Sequence, residues 1–234
     1  MTEELSYGAY LSISQKKFGI YLLDKKNLMN IYKEELNLVN DTDQINYNQL
    51  SNFLENNIFK IEKLIGEFLK SIVVIIENKQ ILNFSIGIKK KNYSEKINKH
   101  YLESSLIELK DLFKENYQKN KIMHFIINRY LIDGINYTSF NEEIDGENMF
   151  LEANFISIPT VLIKKISYVL EKYQIRIEGL FEMKYIEDFF EGQNLDLSII
   201  AFKMQNGQNL NEIALVSKSL KKKGFFEKFF QLFS

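Results

Sequence analysis

A hairpin turn that grips phosphate needs glycine, so that backbone N–H groups can close on the oxygens, and it often needs a carboxylate for the metal ion. The first turn of this chain, Ser12-Ile13-Ser14-Gln15-Lys16-Lys17, has neither. Ser12, Ser14 and Lys17 retain two hydroxyls and a cation, enough for a residual phosphate contact. The plainer expectation is a surface turn with solvated lysines. Four carboxylates, Glu142, Glu143, Asp145 and Glu147, could take a hard cation. They lack the regular alternation of a calcium loop, so a solvated acidic loop is expected. His124 sits alone inside an apolar run and reads as structural. There is no cysteine, which excludes disulfides, thiol catalysis and cysteine metal sites. No Ser-His-Asp set, metal cluster or Walker loop is spelled out, so neither independent catalysis nor a cofactor is expected.

The sharpest physical signal lies at the C-terminus. Lys218 and Lys221-Lys222-Lys223 precede Gly224, and an aromatic run follows. At roughly 100° per residue, Phe225, Phe226, Phe229, Phe230, Leu232 and Phe233 share one side of a helix. Glu227, Lys228 and Gln231 fall on the other. So short a helix is marginal in water, and phenylalanines left in water are a liability. A membrane interface accepts that face while the lysines meet anionic phospholipid headgroups, each basic residue adding roughly 1 kcal/mol. Membrane binding by this tail is expected. The bland alternative is packing against its own domain or a partner's. A single short helix binds reversibly, so self-association would strengthen attachment through avidity.

Upstream elements must carry these groups. Tyr7 to Ser14, Phe18 to Asp24 and Leu28 to Leu38 read as an antiparallel meander. Tyr47 to Leu69 is a helix, with Leu50, Phe53, Leu54, Ile58, Ile61, Leu64, Ile65 and Phe68 on one face. Ser71 to Ile76 is apolar throughout, as in a central strand covered on both sides. Phe84 to Ile88 alternates as a strand, and Tyr101 to Tyr117 is helical. Ile122 to Gly134 is a long strand closed by the turn Asp133-Gly134, with Met149 to Ile158 another strand. Pro159 opens a helix, Ile175 to Leu180 is a strand, and Tyr185 to Phe190 finishes a short helix. Leu197 to Met204 and Leu210 to Val216 read as two strands joined through Asn206-Gly207, a strong hairpin signal. That pair is expected to complete the first sheet.

Bulk properties agree with a mixed α/β (α+β) globular protein. The 234 residues suffice for one large or two small domains, and 45% hydrophobic with 26% charged residues is not a disordered composition. A net charge of -1 gives no field that would draw in nucleic acid. No secretory signal and no membrane-spanning run are legible, so a cytosolic protein peripheral to a membrane is expected.

Ile122-Met123-His124-Phe125 and Leu131-Ile132-Asp133-Gly134, followed by Gly146 to Glu152, carry a family resemblance. The run resembles the bacterial cell-division protein FtsA, of the actin-like ATPase superfamily, in its inserted strand-helix-strand-strand (SHS2-like) subdomain 1C. Weaker similarity reaches the first hairpin, where Ser12 and Ser14 stand at the family's aspartate and glycine. The resemblance implies a reduced actin-like subdomain 1A in 1–83 and 181–217, the 1C subdomain in 84–180, and a basic linker with an amphipathic membrane helix in 218–234. It implies protein contacts around Asp133, Gly134, Gly146 and Met149. The stretch after Leu180 is too short for the family's second half, which holds another phosphate loop and the docking surface for FtsZ. The implied role is a non-catalytic adaptor at the cytoplasmic face of the inner membrane, at the division site. It would organise divisome proteins, such as FtsZ or late division proteins, or further copies of itself. A degenerate actin-like nucleotide-binding protein and a pilus or secretion-system platform component are the alternatives.

Overall fold

The computed structural model describes residues 6–39, 44–93, 96–137 and 143–213. They form a mixed α/β fold with several sheets, in two compact units: Met1–Ile81 with Pro159–Gln208, and Leu82–Ile158 with Asn209 onward.

The first unit is built on strands β1 (Tyr7–Ile13), β2 (Lys17–Asp24), β3 (Met29–Asn37), β4 (Ser71–Ile76) and β11 (Arg176–Glu182). Their order in the sheet is β11-β4-β1-β2-β3. The first three form the expected antiparallel meander, whereas β4 lies parallel to β1 and β11 parallel to β4. One face is covered by α1 (Tyr47–Ile65), which buries Leu50, Phe53, Leu54, Ile58 and Ile61. Asn46 caps it by accepting a hydrogen bond from the Gln49 N–H. Phe53 meets Phe18 with ring centroids 6.1 Å apart. The polar Asn57 is buried with them because its amide donates to the Phe53 carbonyl at 2.7 Å. Helices α4 (Met183–Phe189) and α5 (Leu197–Gln205) bring Ile186, Ile200, Ala201 and Met204 against Tyr10, Tyr21, Leu23, Val73 and Ile75. Cover on both sides is why β4 is apolar at every position after Ser71. Burial pushes the phenol pKa values of Tyr10 and Tyr21 up.

Leu197 to Met204 is therefore a helix, not the first strand of a hairpin. The run is apolar with no period of its own, so its sequence does not arbitrate between the two states. The sheet position beside β4 is taken by β11, and the segment covers the sheet face instead. Asn206-Gly207 ends the helix, with Gly207 at φ 74 donating its N–H to the Met204 carbonyl.

The second unit contains β5 (Leu82–Lys91), β6 (Lys96–Ile97), α2 (Lys99–Asn116), β7 (Asn120–Ile132), β8 (Ile135–Tyr137), β9 (Ile144–Asp145) and β10 (Asn148–Pro159). The main sheet runs β5-β10-β7-β8, and β6 pairs separately with β9. Helix α2, capped by Asn98, buries Leu102, Leu106, Leu109 and Phe113 against this sheet. The aromatic rings of Phe84, Phe113, Phe125 and Phe155 stack together in that core. Of the expected strand Leu210 to Val216, the described part bridges β7 at Ile126↔Glu212, and residues from 214 lie outside the described range.

The expected boundary after Leu180 lies instead at Pro159. Helix α3 (Thr160–Glu171) and β11 belong to the first unit. Two parallel neighbours such as β4 and β11 need a crossover connection, and α3 supplies its helix.

Candidate functional site

The first hairpin is closed upon itself. Ser14 is buried, and its hydroxyl accepts the backbone N–H groups of Lys16 at 3.2 Å and Lys17 at 3.0 Å. The same hydroxyl donates to the Lys17 carbonyl at 3.1 Å. The amides that would face a phosphate thus converge on a side chain of the turn itself. Ser12 is also buried, with its hydroxyl 3.5 Å from the Gly19 carbonyl of the paired strand. The Lys17 ammonium sits 2.8 Å from the Glu35 carboxylate on β3. Partial burial works to raise the pKa of Glu35, but Lys17 and the Tyr21 hydroxyl outweigh it and hold the carboxyl below its usual range.

The Asp133 junction is the second constellation. Asp133 (φ 47) and Gly134 (φ 85) are both left-handed and join β7 to β8 as a two-residue hairpin turn. The Asp133 carboxylate accepts the N–H groups of Glu147 and Asn148, each at 2.9 Å, and the Asn148 side-chain amide at 3.2 Å. Its own N–H donates to the Asn148 carbonyl. From the other side, Asn92 donates its side-chain amide to the Gly146 carbonyl at 3.0 Å and its N–H to the Glu147 carbonyl. Gly146 is glycine for space: a Cβ there would stand 2.2 Å from Ile132 Cγ2. Asp133 and Gly134 are exposed, but Met149 is fully buried in the core beneath them. The expectation that Met149 lies on a protein-contact surface is corrected accordingly. Its place in β10 alternates with the outward residues, and an apolar thioether goes inward.

The backbone donors that hold Asp133 lower its carboxyl pKa in the folded state. A lowered folded value stabilises above the unfolded pKa, and that stabilisation is lost as pH falls through the folded one. Stability should therefore be level above the ordinary carboxylate range of about 4 and decline below it. Asp133→Asn will flatten this acid limb, which urea denaturation at stepped pH measures.

Glu143 pairs with Lys96 at 3.4 Å, Asp145 stands opposite Lys96 in the β6–β9 pair, and Glu142 lies outside the described residues. Among the described residues no three acidic or histidine side chains gather as a metal site would require. His124 is buried, with Nδ1 2.6 Å from the Glu212 carboxylate. The chain there returns to β7, as Ile127 N–H donates to the Asn211 carbonyl and Ile213 N–H to the Phe125 carbonyl. Lys221, Lys222, Lys223, Phe225, Phe226, Phe229, Phe230, Leu232 and Phe233 lie outside the described residues.

No protein-family profile matches the chain. No curated protein matches it. Solved structures do. The cytoplasmic domain of EpsL, an inner membrane component of the type II secretion system of Vibrio cholerae, is 8% identical, with 76% of this chain and 56% of that one covered and a TM-score of 0.34. The PilM–PilN type IV pilus biogenesis complex is 10% identical, covering 78% of this chain and 49% of that one, at a TM-score of 0.44. A Bacteroides thetaiotaomicron protein with an actin-like ATPase fold and unknown function is 16% identical, covering 80% and 57%, at a TM-score of 0.31. The chain thus spans about half the length of these solved chains, and the likeness is a distant one of fold.

Sequence reading missed two features of the second unit. One is the His124–Glu212 pair, whose partners are 88 residues apart. The other is the polar open face of the sheet. There Asn128 donates to Ser85 and Glu152, Asn154 donates to Asn83, and Arg129 meets Glu152 at 3.1 Å. The alternation of Asn83, Ser85 and Gly87 along β5 was the signal for it.

Proposed function

We propose that this chain is a non-catalytic scaffold of a bacterial envelope assembly, of the secretion or pilus kind, held peripherally at the cytoplasmic face of the inner membrane. The observation that carries the reading is the inward-turned first hairpin. Ser14 engages the amides that a phosphate would need, and Lys17 is engaged by Glu35. What the chain offers instead is surface. A five-stranded sheet, read here as a reduced actin-like 1A subdomain, carries an inserted strand-helix-strand-strand unit read as 1C-like. The class of assembly follows the secretion and pilus components named above. Attachment is assigned to the basic and phenylalanine-rich tail, 218–234, on its sequence pattern.

Two experiments test this. Titration with Mg-ATP in a calorimeter should give no saturable heat in the micromolar range, and a saturable site lost in Lys17→Ala would overturn the non-catalytic reading. In liposome co-sedimentation, the full chain should pellet with anionic vesicles and salt should release it, while a version ending at Lys223 stays soluble. Equal behaviour of the two versions would remove the tail from the mechanism.

A second reading, an FtsA-like adaptor of the divisome that tethers FtsZ or late division proteins, is favoured by the motifs at 122–134 and 146–152. A fluorescent fusion gathered at midcell would select it, and foci elsewhere along the envelope would select the first.

A further inference from the structure

Strand β5 pairs with β10 through ten residue pairs, from Ser157↔Leu82 to Asn148↔Lys91. Among the described residues, no strand hydrogen-bonds to its other edge. Along that edge every second residue directs its backbone N–H and C=O outward. Side chains alternate between the faces. Phe84, Ile86 and Ile88 turn to the α2 core, which leaves Ser85, Gly87, Lys89 and Lys91 on the open face.

The charge on that face is uneven. Arg129 is balanced by Glu152 and stands 5.6 Å over the Phe150 ring, which itself lies on Gly87. Lys90, on the core side, is balanced by Glu108 at 3.0 Å. Lys89 and Lys91 are exposed, and no described carboxylate pairs with either. Lys91 instead stands 5.7 Å over the ring of the exposed Tyr93. Lysine on an edge strand ordinarily guards against indiscriminate pairing. The same charges select for a strand of opposite sign.

We propose that the outer edge of β5 binds an extended acidic segment of a partner protein. The segment adds as a strand beside Leu82–Lys91, with backbone hydrogen bonds supplying register and alternate carboxylates meeting Lys89 and Lys91. A strand places same-face residues roughly 7 Å apart, which is the repeat on which the two lysines stand. This names a partner chemistry for the scaffold reading and rests on it only in that a partner exists.

The test uses the full chain and a fluorescein-labelled ten-residue peptide of alternating Glu and Val, read by fluorescence anisotropy. Its Lys-Val counterpart should bind at least about tenfold more weakly. Two further acidic peptides carry N-methyl groups on one or the other alternate set of amides. One set should abolish binding and the other leave it intact, because only one set faces β5. The folded double variant Lys89→Glu/Lys91→Glu should reverse the preference toward the basic peptide, and hydrogen exchange should show protection gained along β5. No binding of the acidic peptide up to millimolar concentration, or equal binding of both N-methylated forms, would overturn the proposal. That failure leaves the liposome and nucleotide results standing, and their failure leaves this one standing.

Discussion

Phe155→Ala will destabilise the second unit by about 3–5 kcal/mol, the range for emptying a buried phenylalanine site. Phe155 is fully buried at the centre of the aromatic stack. Its ring lies 4.4 Å from Phe125, 5.1 Å from Phe113 and 6.4 Å from Phe84, centroid to centroid. These partners come from β7, α2 and β5, so the ring ties three elements to β10. A cavity there cannot collapse by moving one side chain, since its walls are strands held in register and a helix packed across them. Domains are stable by only about 5–15 kcal/mol, so a loss of this size removes much of the margin. Urea denaturation followed by far-ultraviolet circular dichroism measures it, and hydrogen exchange at β7 and β10 amides localises it. Phe155→Leu should lose less because part of the volume is kept. A loss below about 1 kcal/mol for the alanine variant would contradict the packing described.

Gly146→Ala will have the second large effect, about 2–4 kcal/mol from overpacking and lost hydrogen bonds. The new Cβ would meet Ile132 Cγ2 at 2.2 Å and Asp133 Oδ2 at 3.2 Å. Ile132 is buried and β-branched, so it has little freedom to turn aside. The backbone at 146–148 must move instead. That strains the bonds from Glu147 and Asn148 to Asp133 and those from Asn92. Gly134→Ala is the internal control. Its φ of 85 makes alanine unfavourable by roughly 1–2 kcal/mol, but a Cβ there meets no atom within 4 Å. Gly146→Ala should be the more damaging in thermal unfolding. The reverse order would mean that conformation rather than space selects glycine at this junction.

Much of the local structure was legible because its signals are strong. The α1 stripe recurs at helical spacing, but the helix ends at Gly66 in a left-handed cap rather than at the expected Leu69, and Leu64 and Phe68, expected on the stripe, are exposed. The alternation and β-branching of β7 and β10, and the Asp133-Gly134 turn, mark strands and a hairpin. The lack of glycine and carboxylate in the first turn was legible too. The turn's chemistry was only half visible, because the seal depends on where the Ser14 hydroxyl points. Met149 was misread because a motif residue and a core residue look alike in one dimension.

The sequence by itself determined most elements, the absence of thiol chemistry and the amphipathic pattern of the tail, because these depend on residue type and short spacing. Only the tertiary structure decided that 197–205 is a helix, that β11 rather than a late hairpin extends the first sheet, and that the chain re-enters the first unit at Pro159 and leaves it again after Gln208. It also chose Glu212 as the partner of His124. The physical reason is competition. An apolar run without a period takes whichever state the free edge of β4 leaves to it, and that edge is claimed by residues about a hundred positions away.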